Sequence, residues 1–401
     1  MKYSKEEVMQ YVAEEDVKFI RLAFCDVFGK QKNISIMPDE LPRALEGGIA
    51  FDASAVAGFG DEARSDLFLH PEPDTLVPLP WRPEHGRVVR MLCSITYPDG
   101  TPFECDTRNL LKKAVAEAEA AGVSFSFGAE QEFYLFELDD NDERTDKPYD
   151  TAGYMDIAPE DKGENIRREI CLTLEQMGIS PESSHHEEGP GQNEIDFRYS
   201  DALTAADNAQ TFQTVVRTVA RRNGLYADFS PKPIADAPGN GFHINISVKP
   251  DMAAYFDGMI AGILDHIADI TAFLDPTDDS YRRLGVMKAP GYVSWSRENR
   301  SQLVRIPAAV GEYKRAELRS ADPGANPYLA FALLIRAGLD GIKRKLDLPE
   351  PADFNLFRAG ADVLKWYKKL PDTLGTAKRA AAESEFIKAC LPDEIIKIFC
   401  E

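Results

Sequence analysis

Two glutamates separated by a single residue, Glu130 and Glu132, begin a set of six potential metal ligands completed by Glu187, Glu194, His243 and Glu317. Glu130 and Glu132 sit in a run that also holds Phe125, Phe127, Phe133, Leu135 and Phe136; Glu194 precedes Ile195, His243 precedes Ile244, and Glu317 precedes Leu318. Successive strand residues point to opposite faces, so Glu130 and Glu132 share one face and Gln131 takes the other. A strand this apolar is not an edge, and two like charges on it require a cation. Mg²⁺ and Mn²⁺ take carboxylate oxygens with an occasional imidazole. Five carboxylates and one imidazole suffice for two ions side by side, an arrangement that clamps a transferring phosphoryl group.

Taken singly, each residue has a plainer reading. Glu130 and Glu132 alone would be charges on an exposed strand, Glu187 and Glu194 surface residues, and His243 equally well a satisfied structural histidine. The turn Glu187-Glu188-Gly189-Pro190-Gly191-Gln192 changes the balance, because it returns the chain and sets Glu187 and Glu194 on neighbouring strands. His185 and His186 read as structural or supporting residues. His243 alternates with Asn245 and Ser247 on the polar face of its strand.

Arg300, Arg305, Arg315 and Arg319 follow within twenty residues, interleaved with Leu303, Val304, Ile306 and Pro307. Solvated arginines are the ordinary alternative. Interleaving with core-type residues favours inward-facing guanidiniums, which bind phosphate or carboxylate through paired hydrogen bonds. The chain has no G-x-x-x-x-G-K-[ST] and no G-x-G-x-x-G between a strand and a helix, so arginines and metals would hold any nucleotide. Carboxylates, metals and arginines together point to phosphate chemistry.

The elements that must position these residues fall into two parts. The 401 residues, with 44% hydrophobic and 28% charged content, suit an ordinary globular protein of one large domain or two. The start reads as a polar helix without a leader; Val17–Phe24 and Lys32–Met37 flank a turn at Asp26-Val27-Phe28-Gly29, and residues 87–97 form another strand. A helix from about Asn109 to Gly122 opens the second part. There strands (123–138, two within 183–199, 225–229, 242–248) alternate with helices (164–177, 205–223, 253–274, 327–346). The charged stretch 139–150 reads as a solvated loop. The expected class is α+β: residues 1–104 a small sheet domain, residues 105–401 a large domain whose main sheet carries the carboxylates. A net charge of −21 argues against nucleic acid or anionic membranes as partners. Six scattered cysteines without a C-x-x-C pair, and no bilayer-length apolar run, suggest a reducing cytoplasm.

Several ordered segments resemble the bacterial type I glutamine synthetases: Gly128-Ala129-Glu130-Gln131-Glu132-Phe133, His185-His186-Glu187 with Gly191-Gln192-Asn193-Glu194, Asn240-Gly241-Phe242-His243, Asn299-Arg300-Ser301 with Arg305-Ile306-Pro307, and Glu317-Leu318-Arg319-Ser320. The similarity of motifs runs from the N-terminus to about residue 346. It implies a β-grasp-like first domain and a catalytic domain with a curved antiparallel sheet flanked by helices. By this resemblance Glu132, Glu187 and Glu194 hold a first metal, and Glu130, His243 and Glu317 a second, with two or more Mg²⁺ or Mn²⁺ ions per site and ATP as substrate. Arg283 and Arg319, with Gly239, Tyr154 and Lys288, fall at the substrate positions. Arg300, Arg305 and Arg315, with Glu182 and Ser247, fall at the ATP, and Arg300 and Arg315 also act on the transferred phosphoryl group. Asp52 matches a catalytic aspartate that a neighbouring subunit contributes to the ammonium site. The implied reaction forms glutamine from glutamate and ammonia through γ-glutamyl phosphate, in a homo-oligomeric ring of six or twelve subunits.

Three departures bear on the substrate. The flap that covers the intermediate reads Leu284-Gly285-Val286-Met287-Lys288-Ala289-Pro290, one residue short, with Lys288 where the family carries a glutamate. Pro238-Gly239 replaces Asn-Gly, and Ala55 replaces a serine near Asp52. The region after Leu346 reads as shorter than the family's, which implies weaker ring-to-ring stacking. Glutamate–ammonia ligase is thus the leading reading. A ligase of the same chemistry with another amine or acid is the second, and a non-catalytic sensor or assembly protein the third.

Overall fold

The computed structural model describes residues 3–60, 62–82, 85–309 and 314–401. The chain forms two units, one of residues 1–110 with 172–179, the other of residues 111–171 with 180–401.

The first unit opens with helix α1 (Lys5–Glu14), started by a capping box in which Ser4 and Glu7 satisfy each other's backbone N–H groups. Strands β1 (Val17–Cys25) and β2 (Gln31–Ile36) make the expected hairpin, its turn closed by Asp26 Oδ1 accepting from Phe28 N at 3.1 Å and Lys30 N at 2.8 Å. Helix α2 (Leu41–Gly47), β3 (Ile49–Asp52), β4 (Asp66–Pro71), β5 (Val77–Pro78) and β6 (Arg87–Thr96) complete it. The sheet order is β2-β1-β6-β4-β3, with β5 also on β6, and β1 runs parallel to β6. β6 is central, and its Val89, Met91, Leu92, Cys93 and Ile95 are all buried, as suits a strand covered on both faces.

Helix α3 (Thr107–Ala120) leads into β7 (Ser124–Leu138), the hub of a ten-stranded sheet. After it come β8 (Arg144–Pro148), α4 (Glu164–Gln176), β9 (Pro181–His186), β10 (Gln192–Phe197), β11 (Ser200–Asp201), α5 (Ala202–Arg222), β12 (Leu225–Asp228), β13 (Phe242–Lys249), α6 (Met252–Leu274), α7 (Asp278–Arg283), β14 (Trp295–Arg297), β15 (Val304–Ile306), β16 (Ala316–Leu318) and α8 (Pro327–Arg344). The main path is β14-β15-β16-β13-β7-β10-β9, while β8, β11 and β12 pair with β7. Its ladders are antiparallel except β14 with β15, so the sheet is mixed. One expectation is corrected: residues 139–150 are not only a loop, since β8 folds back onto β7. Arg144 holds it there, its guanidinium 3.9 Å from the Phe136 ring centroid and 3.0 Å from Asp228. A charged segment can build a strand when its long stems lie on apolar surface.

Behind the sheet, Phe331 of α8 stacks on Phe127 of β7 at 4.3 Å, and α6 and α8 pack against each other. Glycines let them approach: a Cβ on Gly262 would lie 2.1 Å from the Ala337 carbonyl oxygen. Gln131 points to the helix side, donating to Ala209 O at 3.3 Å, which turns Glu130 and Glu132 the other way. Short helices α9 (Ala361–Leu364), α10 (Leu374–Glu383), α11 (Glu385–Cys390) and α12 (Asp393–Cys400) close the unit. Among the described residues, no helix is long and apolar enough to cross a membrane.

Candidate active site

Strand register lines up the candidate ligands across the sheet. Glu194 lies opposite Glu132, His243 and Asp196 opposite Glu130, and Asn245 opposite Glu317. Glu187 follows β9, in a turn that brings its N–H to Gln192 O at 2.8 Å. That turn needs glycine, because a Cβ at Gly189 would overlap Tyr134 Oη at 1.9 Å and Gly191 adopts φ +70°. Buried His186 anchors it, its Nε2 2.8 Å from Asp150 Oδ1 and its Nδ1 2.6 Å from Glu187 O.

Two groups of donors result. His243 Nδ1 lies 3.5 Å from Glu130 and 3.9 Å from Glu317. His185, Glu187 and Glu194 form the other, with His185 3.6 Å from Glu187 and 3.9 Å from Glu194. Glu132 stands between them: Oε2 accepts from Gly241 N at 2.7 Å and Gln192 Nε2 at 3.2 Å, leaving Oε1 4.0 Å from His243. His185 thus joins Glu187 and Glu194, with the charge of Glu132 acting on both carboxylates. Asp196, outside the expected set, joins Glu130 and Glu194, and its Oδ1 is buried with no hydrogen-bond partner among the described residues. His185 and Asp196 each lie two residues from a candidate ligand, so the alternation that paired Glu130 with Glu132 and His243 with Asn245 could have found them.

Burial and then the charge of Glu132 push Glu194 well above the ordinary carboxylate range and raise Glu187. Burial, then Glu130, lifts Asp196 to about 6. Glu317 behaves oppositely: burial acts to raise it, but Arg319, His243 and Arg305 hold it down to about 2. A carboxylate cluster forced toward protonation, with an orphaned buried oxygen and an imidazole on each side, fits divalent cations by its donor chemistry.

Arg305 and Arg319 each bond Glu317 at 2.5 Å, and Arg315 Nε donates to Asn245 Oδ1 at 2.8 Å. Arg283 is buried and donates to Ser320 O at 2.5 Å. Gly239 packs against its stem, since a Cβ there would meet Arg283 Cγ at 2.9 Å and Pro231 O at 2.4 Å. A cavity of about 490 Å³ brings together Glu130, Glu132, Glu187, Glu194, His243, Gly239, Tyr154, Lys288 and Arg283, with Arg300, Arg305, Arg315 and Arg319. Glu317 abuts it through Arg305 and Arg319. Glu182 and Ser247 line a smaller hollow of about 130 Å³ that shares Glu130, Asp196 and Arg315 with the first. Tyr154 sets its ring edge-on to His185 at 5.5 Å. Lys288 is bonded to Glu188, a residue the motifs had not singled out. Asp52 belongs to the first unit, where it is exposed and its Oδ1 accepts from Ser54 N at 2.9 Å and Ser54 Oγ at 2.6 Å.

A small first unit of β-grasp type and a curled mixed sheet floored with carboxylates and rimmed with arginines define an α+β protein of glutamine synthetase architecture. Residues 16–98 match the family model "Glutamine synthetase, beta-Grasp domain" and residues 104–401 "Glutamine synthetase, catalytic domain". The chain belongs to the glutamine synthetase family. The catalytic match continues beyond residue 346, where the motif resemblance stopped. The chain is 45% identical to a glutamine synthetase of Clostridium saccharobutylicum, over 98% of this chain and 93% of the relative. It is 43% identical to one of Staphylococcus aureus, over 99% and 93%. Among solved structures, a GmaS/ADP complex superposes with a TM-score of 0.88 at 28% identity, covering 98% of this chain and 94% of that one. Plasmodium falciparum glutamine synthetase shares the fold, with a TM-score of 0.87 at 22% identity over 100% and 95%.

Proposed function

We propose that the protein is an ATP-dependent ligase that forms glutamine from glutamate and ammonia through γ-glutamyl phosphate. The observation that carries this reading is a cavity that brings two carboxylate–histidine groups together with five arginines. Full-length similarity to glutamine synthetases supports it. Glu130, His243 and Glu317 on one side, and Glu132, Glu187 and Glu194 with His185 on the other, would hold Mg²⁺ or Mn²⁺, which would neutralise phosphate charge and orient the acid substrate.

The chain's own residues carry the remaining work. Arg283 and Arg319, fixed by Ser320 O and Glu317, present guanidiniums to the substrate carboxylate. Arg300, Arg305 and Arg315 offset the charge of the γ-phosphoryl group as the glutamate γ-carboxylate oxygen attacks phosphorus and ADP departs. Glu182 and Ser247 border the nucleotide. Ammonia nitrogen then attacks the γ-carbonyl carbon, the bond to phosphate breaks, and an acidic group takes the surplus proton. Asp52 of a neighbouring subunit in a six- or twelve-membered ring is assigned that role; its hydrogen bonds from Ser54 hold its carboxyl below the ordinary range and keep it ionised. This reading divides the chain at 104/105 and places the enzyme in the cytoplasm.

Lys288 on the flap favours a second reading, a ligase that joins glutamate or a related acid to another amine. The test is ADP release with glutamate and ammonium, followed by a panel of amines. Saturable ammonium-dependent glutamine formation supports the first reading; turnover only with a larger amine supports the second; no turnover with any acceptor refutes both.

A further inference from the structure

Lys288 Nζ bonds a carboxylate oxygen of Glu188, joining the flap to the turn between β9 and β10. Both side chains line the cavity that contains Glu130, Glu132, Arg283 and Arg300. The flap tip has an uncommon backbone, with Met287 at φ +42° and Lys288 at φ +62°, a region that non-glycine residues seldom occupy. Its own turn sustains it: Ala289 N donates to Met287 O at 2.8 Å, and Gly285 N to Pro290 O at 3.2 Å. Glu188 is tied to the floor, because its N–H donates to Glu187 Oε2 at 3.1 Å. The pair therefore bridges a strained flap tip and the carboxylate cluster.

Resting on the ligase reading, we propose that Glu188 and Lys288 form one charge-neutral latch across the acceptor side of the cavity. In it Glu188 cancels the repulsion that an unpaired Lys288 would exert on a cationic amine. An ammonium group alone at the mouth opposes entry of ammonium; a carboxylate bonded to it removes the net charge. The Lys288 side chain is 56% exposed and that of Glu188 33%, and a pair so open to solvent shifts an equilibrium only about a few-fold. A latch of that strength yields at each turnover, as substrate entry and product release require.

The test uses the full-length protein with Mg²⁺ or Mn²⁺. Glu188→Gln is expected to raise the KM for ammonium about two- to five-fold while the KM values for ATP and glutamate hold nearly constant. Adding Lys288→Gln to that variant should undo most of the increase, a coupling that loss of fold at either residue would not produce. An ammonium KM unmoved by Glu188→Gln, or effects that simply add, overturns the charge argument. Amide hydrogen exchange over residues 284–290, independent of turnover, should speed up several-fold in Glu188→Gln and in Lys288→Gln; unchanged exchange overturns the latch. If the parent turns over no acceptor, the ligase reading fails by itself and the exchange measurement decides the latch.

Discussion

Glu317 is gripped at 2.5 Å by two guanidiniums, whereas Glu187 and Glu194 face other carboxylates. The same substitution therefore has different consequences at different ligands. Glu317→Ala strands Arg305 and Arg319 and is expected to cost about 3–5 kcal/mol of stability. Glu132→Ala leaves the Gly241 N–H unpaired, about 1–3 kcal/mol, but relieves like-charge crowding, so its net loss should be the smaller. Both should abolish ATP turnover; ADP release beside thermal denaturation checks the pair, and activity within a few-fold of the parent in either refutes the two-ion site. A pH effect follows from the raised carboxyls. Burial and Glu130 place Asp196 at about 6, and Glu187 and Glu194 are raised with it. A carboxyl with a folded pKa above its unfolded value makes the metal-free protein lose stability as pH climbs from the unfolded value through the folded one. Cations compete with those protons, so the rise in Tm caused by Mg²⁺ or Mn²⁺ should be several degrees larger near about pH 8 than near about pH 5.5. Equal shifts at the two pH values would locate the ion away from this cluster.

The elements position the site by close approach of backbones. Gly239 lies where a Cβ would meet the Pro231 carbonyl oxygen at 2.4 Å and the Arg283 stem at 2.9 Å. Gly239→Ala should push Arg283 aside and raise the KM for glutamate on the order of ten-fold, with a smaller change in kcat. Steady-state kinetics with glutamate varied reads this directly. On the far side of the sheet, Gly262 meets α8 with no room for a methyl, at 2.1 Å from Ala337 O. Gly262→Ala should cost about 1–3 kcal/mol in urea unfolding, yet leave the activity of the folded fraction intact, because it touches the support and not the cavity.

At the scale of the whole molecule, Asp52 belongs to the first unit and the remaining candidate residues to the second. The proposed ring makes a direct prediction. Asp52→Asn and Glu132→Ala proteins, each inactive alone, should regain part of the parental activity when dissociated and reassembled together, because some interfaces then combine an intact Asp52 with an intact Glu132. Light scattering should show a mass several times that of one chain. A fully active monomer, or mixtures that stay inactive, would count against shared sites.

Alternation along single strands made much of this legible in the residues alone. It put Glu130 with Glu132 and His243 with Asn245, because a pleated strand sends every second side chain to one face. The punctuation of helices by caps and glycines located the main elements within a few residues. Three things were decided only in the folded chain. β8 hides in a charged stretch because Arg144 gains its place from the Phe136 ring and Asp228, one of them distant in sequence. His185 comes within 3.9 Å of both Glu187 and Glu194, while Glu132 beside them spends one oxygen on Gly241 and Gln192. Lys288 looks like an intruding positive charge until the turn after β9 brings Glu188 to it across one hundred residues. Short-range periodicity follows from local backbone geometry, whereas these pairings depend on the paths of loops that only tertiary packing determines.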